Sequence, residues 1–149
     1  MFDGDEKTSM AAEFVDTNIL VYAYDRTAGS KFDRSRDLME KLWNSGEGVI
    51  SAQVLEEFYV TEIPQPLKPR EARQIVSDLS TWTVAVLEVS DILAASETAE
   101  CYRLSFWDGL ILAAAHKEQA LTLWSEDFDD GQTYGEARAR NPFVRRKSR

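Results

Sequence analysis

Four acidic residues stand where a strand or loop gives way to a helix. They are Asp16 in Phe14-Val15-Asp16-Thr17-Asn18-Ile19, Glu57 in Gln53-Val54-Leu55-Glu56-Glu57-Phe58, Asp108 in Ser105-Phe106-Trp107-Asp108-Gly109-Leu110, and Asp127 in Leu123-Trp124-Ser125-Glu126-Asp127-Phe128. They are far apart in the chain, so only a fold can gather them. Carboxylates that converge repel each other unless a cation sits among them, which points to a hard divalent metal and phosphate chemistry.

Each acid also has a plainer reading. Asp16 fits a helix cap, but capping alone does not call for the neighbouring hydroxyl and amide of Thr17 and Asn18. Those two can orient a carboxylate that binds metal. Ser105-x-x-Asp108 fits a capping box, and an acid in a first turn is favoured by the helix dipole. Read locally, capping is the stronger account of Asp108. Glu57 fits a solvated helix residue, and periodicity alone leaves Glu56 and Glu57 level. Asp127 competes with Glu126, Asp129 and Asp130 in an acidic loop. Ser125 beside it repeats the pairing of hydroxyl and acid seen at Thr17 and Asp16, and so favours Asp127.

The elements that must deliver these residues are short strands alternating with helices. Residues 12–15 predict a buried strand and Thr17 to Tyr24 a helix capped by Asp16 or Thr17. Ser30 to Asn44 predicts an amphipathic helix with Phe32, Leu38, Met39, Leu42 and Trp43 near one face, ended by Gly46 and Gly48. Val49 and Ile50 predict a strand, and Ser51 the cap of a helix reaching about Glu62. Pro64, Pro66 and Pro69 mark a loop, with Pro69 opening a helix to Leu79. A strand is expected over Val84, Val86 and Leu87. Helices capped by Ser90 and Ser105 should follow, then a strand from Leu121 to Trp124. Beyond Gly131 the pattern is irregular.

This alternation predicts an α/β fold with a parallel sheet covered on both faces, where ligands bind beyond the carboxyl ends of the strands. Asp16 and Asp127 follow strands and belong at that edge. Glu57 is about six residues into its helix, or ~9 Å along it, and arrives only if that helix leans across the strand ends.

Composition narrows the chemistry. The chain has 149 residues and a net charge of −9, which suits one domain but not a non-specific nucleic-acid binder. Handling nucleic acid would require metal ions or local basic patches, for which Lys31 to Lys41, Lys68 to Arg73 and the basic end are the candidates. His116 is the only histidine and Cys101 the only cysteine. A histidine-pair ribonuclease, a zinc site and an intrachain disulfide are therefore excluded. There is no Gly-rich phosphate loop and no nucleophile elbow. The opening residues lack the apolar run of a signal peptide, and no stretch approaches the ~20 apolar residues of a membrane span, so a cytoplasmic location is expected.

Taken in order, the four motifs resemble those of PIN-domain nucleases, and most closely the VapC-type toxins of bacterial toxin–antitoxin pairs. The match runs from Phe14-Val15-Asp16-Thr17-Asn18-Ile19-Leu20-Val21-Tyr22 through Ile50-Ser51-x-Gln53-Val54-Leu55-x-Glu57-Phe58-Tyr59 and Ser105-Phe106-Trp107-Asp108-x-Leu110-Ile111. It closes with Leu123-x-Ser125-Glu126-Asp127-Phe128 and Asn141-Pro142-Phe143. The second motif selects Glu57 over Glu56.

The resemblance implies a single Rossmann-like α/β/α domain over residues 12–143, with a parallel sheet of about five strands. Residues 1–11 would be a flexible lead-in and 144–149 a basic tail. It also implies a metal-dependent endoribonuclease, the toxin of a type II pair, holding Mg2+ or Mn2+ on Asp16, Glu57, Asp108 and Asp127. Asp16 and Asp108 would be the principal ligands, with Thr17, Asn18 and Ser125 supporting them. Implied partners are RNA, a small cognate antitoxin and a second copy of the chain. The alternatives are a PIN nuclease of housekeeping RNA processing and a non-catalytic module that binds RNA or protein. An aspartate-nucleophile phosphatase would want an acid at position 18, where this chain has Asn18.

Overall fold

Short apolar segments that begin and end within a few residues are what a sheet buried on both faces requires; the strands are all short, and the central ones are apolar enough to follow that rule. The strands are β1 (Glu13–Val15), β2 (Gly48–Ser51), β3 (Thr83–Ala85), β4 (Thr122–Trp124), β5 (Thr133–Tyr134) and β6 (Ala137–Arg140). In the computed structural model, which describes residues 12–144, they form one sheet in the order β3-β2-β1-β4-β6-β5. All neighbours run parallel except β5 against β6. The expected lead-in over 1–11, and the expected tail beyond Val144, lie outside the described residues.

Among the described residues six α-helices accompany the sheet: α1 (Thr17–Tyr22), α2 (Ser30–Ser45), α3 (Ala52–Val60), α4 (Pro69–Leu79), α5 (Val89–Tyr102) and α6 (Phe106–Lys117). Among the described residues no helix is long and apolar enough to cross a membrane. Phe14, Ile50, Leu112 and Leu123 are fully buried at the centre of the main core. A second cluster, formed by Val15, Ile19, Leu38 and Leu42, seats α1 and α2 against the sheet.

Local chemistry sets the helix ends. Asp16, Ser51 and Ser105 cap α1, α3 and α6, each accepting a backbone N–H of the first turn. Pro69 opens α4. Gly46 ends α2 at φ +74°, a left-handed conformation that costs a side-chain-bearing residue more than glycine.

Several expectations need correction. The sheet has six strands rather than about five, because residues beyond Gly131 form the β5–β6 hairpin. Helix α5 is capped at Glu88, not Ser90. The Glu88 backbone N–H donates to the Asp91 carboxylate, which closes a reciprocal box. Strand β3 stops at Ala85, leaving Val86 exposed as the chain turns toward α5. Trp43 is half-exposed rather than part of the α2 core face, with its ring 6.0 Å from that of Trp82.

Helices α5 and α6 pack closely at Gly109, directly after Asp108. A Cβ on Gly109 would lie 2.5 Å from the Ala95 carbonyl oxygen, which is helix backbone and cannot swing aside. Helix propensity alone would make Gly109→Ala stabilising by about 1 kcal/mol. Overpacking costs about 1–3 kcal/mol and acts against it. The rigid backbone contact puts the steric cost in the upper part of that range, so denaturant unfolding of Gly109→Ala should show a net loss of up to about 2 kcal/mol. A gain in stability would show that the two helices separate freely.

Candidate active site

The parallel register aligns the ends of β1 and β4. Val15 pairs with Trp124, and the ladder continues one step further, with the Asp16 N–H donating to the Trp124 carbonyl at 3.0 Å. Asp16 therefore leaves the sheet at its carboxyl edge, beside Ser125. It is buried, and each carboxylate oxygen accepts one hydrogen bond. One oxygen accepts the Thr17 N–H at 2.7 Å and the other the Ser125 hydroxyl at 2.7 Å. Ser125 Oγ in turn accepts the Asp127 N–H at 3.0 Å, so one hydroxyl couples the two acids that follow strands.

Glu57 reaches this edge because α3 packs across α1. Its Oε1 accepts the Thr17 hydroxyl at 2.5 Å and its Oε2 accepts the Gln53 amide at 3.2 Å. Glu56 is exposed and lines a different hollow, so the helix orientation separates the two neighbours. Asp108 lies in the first turn of α6. Ser105 Oγ accepts the Asp108 N–H at 3.0 Å, but no reciprocal bond from the Asp108 carboxylate to the Ser105 N–H forms among the described residues. The Asp108 residue instead lines the cavity. Asn18 donates to Asp127 Oδ2 at a long 3.5 Å.

All four acids line one open cavity of about 400 Å³, together with Thr17, Asn18, Gln53, Thr61 and Trp107. Among the described residues no lysine, arginine or histidine lines it. Burial pushes the Asp16 carboxyl up to about 6, against the hydrogen bonds from Ser125 and Thr17, and the charges of Asp127 and Asp108 push the same way. Desolvation also raises Asp108. Asp127 is raised by desolvation and then by the charges of Asp108 and Glu126. Removed from water, Asp16, Asp108 and Asp127 hold protons more tightly than usual.

Oxygen donors with raised proton affinity and no competing base suit a hard divalent cation. Among the described residues, however, no three acidic, histidine or cysteine side chains draw together tightly enough to grip an ion as they stand. Asp16 and Glu57 are held by their hydrogen-bond donors instead.

Two features of the site were not legible as site residues in the sequence. Gln53 supports Glu57 from one helical turn earlier, a spacing that could have suggested it. Glu126 does not serve the cavity. It accepts the Tyr22 hydroxyl at 2.6 Å and pairs with Lys31 at 2.9 Å, which ties the Asp127 loop to α1 and α2. Lys31 also lies over the rings of Tyr22 and Phe143. Asp130 Oδ1 accepts the Asn141 N–H and anchors the same loop. His116 is structural, its Nε2 lying 2.8 Å from the Tyr134 carbonyl oxygen.

Comparison with known proteins follows the same lines. The family model of the PIN domain matches residues 14–133. A toxin-antitoxin complex from Klebsiella pneumoniae is similar in fold, with a TM-score of 0.65 and 21% identity, over 89% of this chain and 98% of that one. VapBC2 from Rickettsia felis, bound to a DNA fragment from its promoter, gives 0.60 and 21% over 87% and 98%. The Mycobacterium tuberculosis toxin VapC20, which cleaves the sarcin-ricin loop, gives 0.59 and 18% over 85% and 99%. No curated protein matches in sequence.

Proposed function

Because this chain belongs to the PIN domain family, we propose that it is a metal-dependent endoribonuclease and the toxin of a type II toxin–antitoxin pair, acting in the cytoplasm. The observation that carries the reading is the cavity at the carboxyl edge of the sheet, lined by Asp16, Glu57, Asp108 and Asp127 and, among the described residues, by no basic side chain. Within that reading residues 12–143 are the nuclease domain.

Asp16 and Asp108 would be the principal holders of Mg2+ or Mn2+, completed by Glu57 and Asp127. A bound ion would supply positive charge to the phosphate oxygens and would lower the pKa of water. The chain's own residues set the frame. Ser125 and the Thr17 N–H fix both oxygens of Asp16, and Thr17 and Gln53 fix Glu57. Asn18 leans on Asp127. Such supporting bonds keep carboxylates oriented and typically carry about 10–100-fold in metal affinity or activity.

Two surfaces support the proposed partners. A hollow of about 450 Å³ lined by Val21, Phe58, Ile63, Pro66 and Leu67 adjoins the acidic cavity, with Val60 and Thr61 lining both. It would take the apolar face of an antitoxin helix, whose basic side chain could then reach the acids. Val86, Val89, Ile92, Leu93, Phe106 and Trp107 are exposed around the starts of α5 and α6. A second copy would cover them in a homodimer.

The test is incubation of the purified chain with single-stranded and stem-loop RNA, with Mg2+ or Mn2+ and with chelator. The expected result is internal cleavage that chelator abolishes and metal restores. Cleavage that ignores chelator overturns the metal dependence, and none under any condition overturns the nuclease reading. Expression that does not arrest growth overturns the toxin part alone.

A further inference from the structure

Among the described residues the cavity has no positive side chain, yet the same sheet edge carries a group of cations two strands away. Strand β6 runs parallel to β4, and its last residue, Arg140, pairs with Trp124. Arg138 and Arg140 alternate with buried Ala137 and Ala139, so both arginines face outward. The Arg140 guanidinium lies 5.2 Å from the Trp124 ring centroid. Trp124 is itself pinned, donating from Nε1 to Glu13 at 2.7 Å. Across a hollow of about 350 Å³, Arg34 of α2 donates to the Pro142 carbonyl oxygen at 3.1 Å.

Both guanidiniums are thus oriented by one neighbour each, and among the described residues neither is in an ion pair. Among the described residues Asp37 is the one carboxylate lining the hollow. In a chain of net charge −9 most surfaces repel an anion. Planar guanidiniums held in place with N–H donors left over are suited to phosphate. The placement also fits. Adjacent strands lie about 4.8 Å apart, so the end of β6 is about 10 Å along the edge from the end of β1 and Asp16. A nucleic-acid strand held at the acids can cover that distance within its next links.

We propose that the hollow between Arg34 and Arg140 is a backbone subsite that takes phosphates of single-stranded RNA flanking the bond at the acidic cavity. Arg34 and Arg140 bind phosphate, and Trp124 keeps the Arg140 guanidinium flat and aimed. This rests on the nuclease reading above and adds to it the direction in which the strand leaves the site. The division of labour explains an acidic cavity in an RNA-binding chain: the cavity holds the reacting phosphate and the hollow holds its neighbours.

The test compares the full chain with its Arg34→Gln/Arg140→Gln variant. One readout is fluorescence-anisotropy titration of a labelled single-stranded RNA of about 12 nucleotides over a salt series. The other is the kinetics of cleavage of that RNA and of a dinucleotide. The variant should bind the long RNA about tenfold more weakly. Its plot of log affinity against log salt should be shallower by about 1.4, at about 0.7 per lost phosphate contact. KM for the long RNA should rise while kcat holds, and the dinucleotide should be cleaved as before. Arg34→Lys/Arg140→Lys, which keeps the charge, should restore the salt slope.

Unchanged affinity and salt slope in the Gln variant overturn the proposal, and so does RNA binding that stays intact while self-association is lost. If the wild type never cleaves RNA, the nuclease reading falls, and the binding arm still decides whether the hollow takes RNA.

Discussion

Asp16→Asn lowers metal-dependent RNA cleavage by at least about 100-fold and leaves the chain folded. Removing a residue that merely supports a ligand costs about 10–100-fold, and the acid that Ser125 and Thr17 orient should cost more. Asparagine keeps the frame. Its carbonyl oxygen can accept the Thr17 N–H, and its amide can donate to Ser125 Oγ, which already accepts the Asp127 N–H. What it removes is the negative charge. Initial rates in metal-saturated buffer, read beside thermal melts of the same preparations, separate the two effects. Ser125→Ala provides the scale, losing about 10–100-fold through a loosened Asp16. Turnover of Asp16→Asn equal to wild type would end the assignment of the acids as metal ligands.

The residues readable from sequence are those whose causes are short-range. Asp16, Ser51 and Ser105 were legible as caps because a side-chain oxygen need only meet an N–H within three residues. The position of Asp16 at the carboxyl edge followed from one rule about parallel sheets. The choice between Glu56 and Glu57 was different, because it depends on the tilt of α3 over α1. The bond that records this tilt joins Thr17 to Glu57 across forty positions. Family resemblance supplied that choice where periodicity could not.

Asp108 shows a local rule giving half an answer. Ser105 caps α6 as expected, but the acid expected to return the bond serves the cavity. The β5–β6 hairpin was missed although Ala137-Arg138-Ala139-Arg140 alternates as a strand does. Two small residues are a weak apolar signal, and what buries them is α6 on the other side of the sheet. Val86 and Leu87 misled in the opposite direction. Their apolar character suggested strand, but β3 is an edge strand and the chain leaves it after Ala85.

Divalent cation should stabilise the folded chain at pH 7 far more than at pH 5. The folded carboxyl of Asp16 titrates at about 6, against 3.8 for an ordinary aspartate. Between those values the folded state holds more protons than the unfolded one, so stability falls as pH rises through the window. The shift corresponds to at most about 3 kcal/mol, present below the unfolded value and lost above the folded one. Asp108 and Asp127 are raised too and act in the same direction.

A cation that binds only the folded acids reverses the loss. At about 100 times its Kd it adds about 2.7 kcal/mol, or roughly 5–10 °C in Tm for a chain of this size. At pH 5 protons occupy Asp16 and compete with the ion, so the gain shrinks. Thermal melts with Mg2+ or Mn2+ at both pH values, against a monovalent salt of equal ionic strength, read this without any RNA. Asp16→Asn should melt higher than wild type at pH 7 without metal, because it no longer buries a charge, and should gain little when metal is added. Equal metal shifts at pH 5 and pH 7, or an undiminished shift in Asp16→Asn, would mean that the ion binds elsewhere than among these carboxylates.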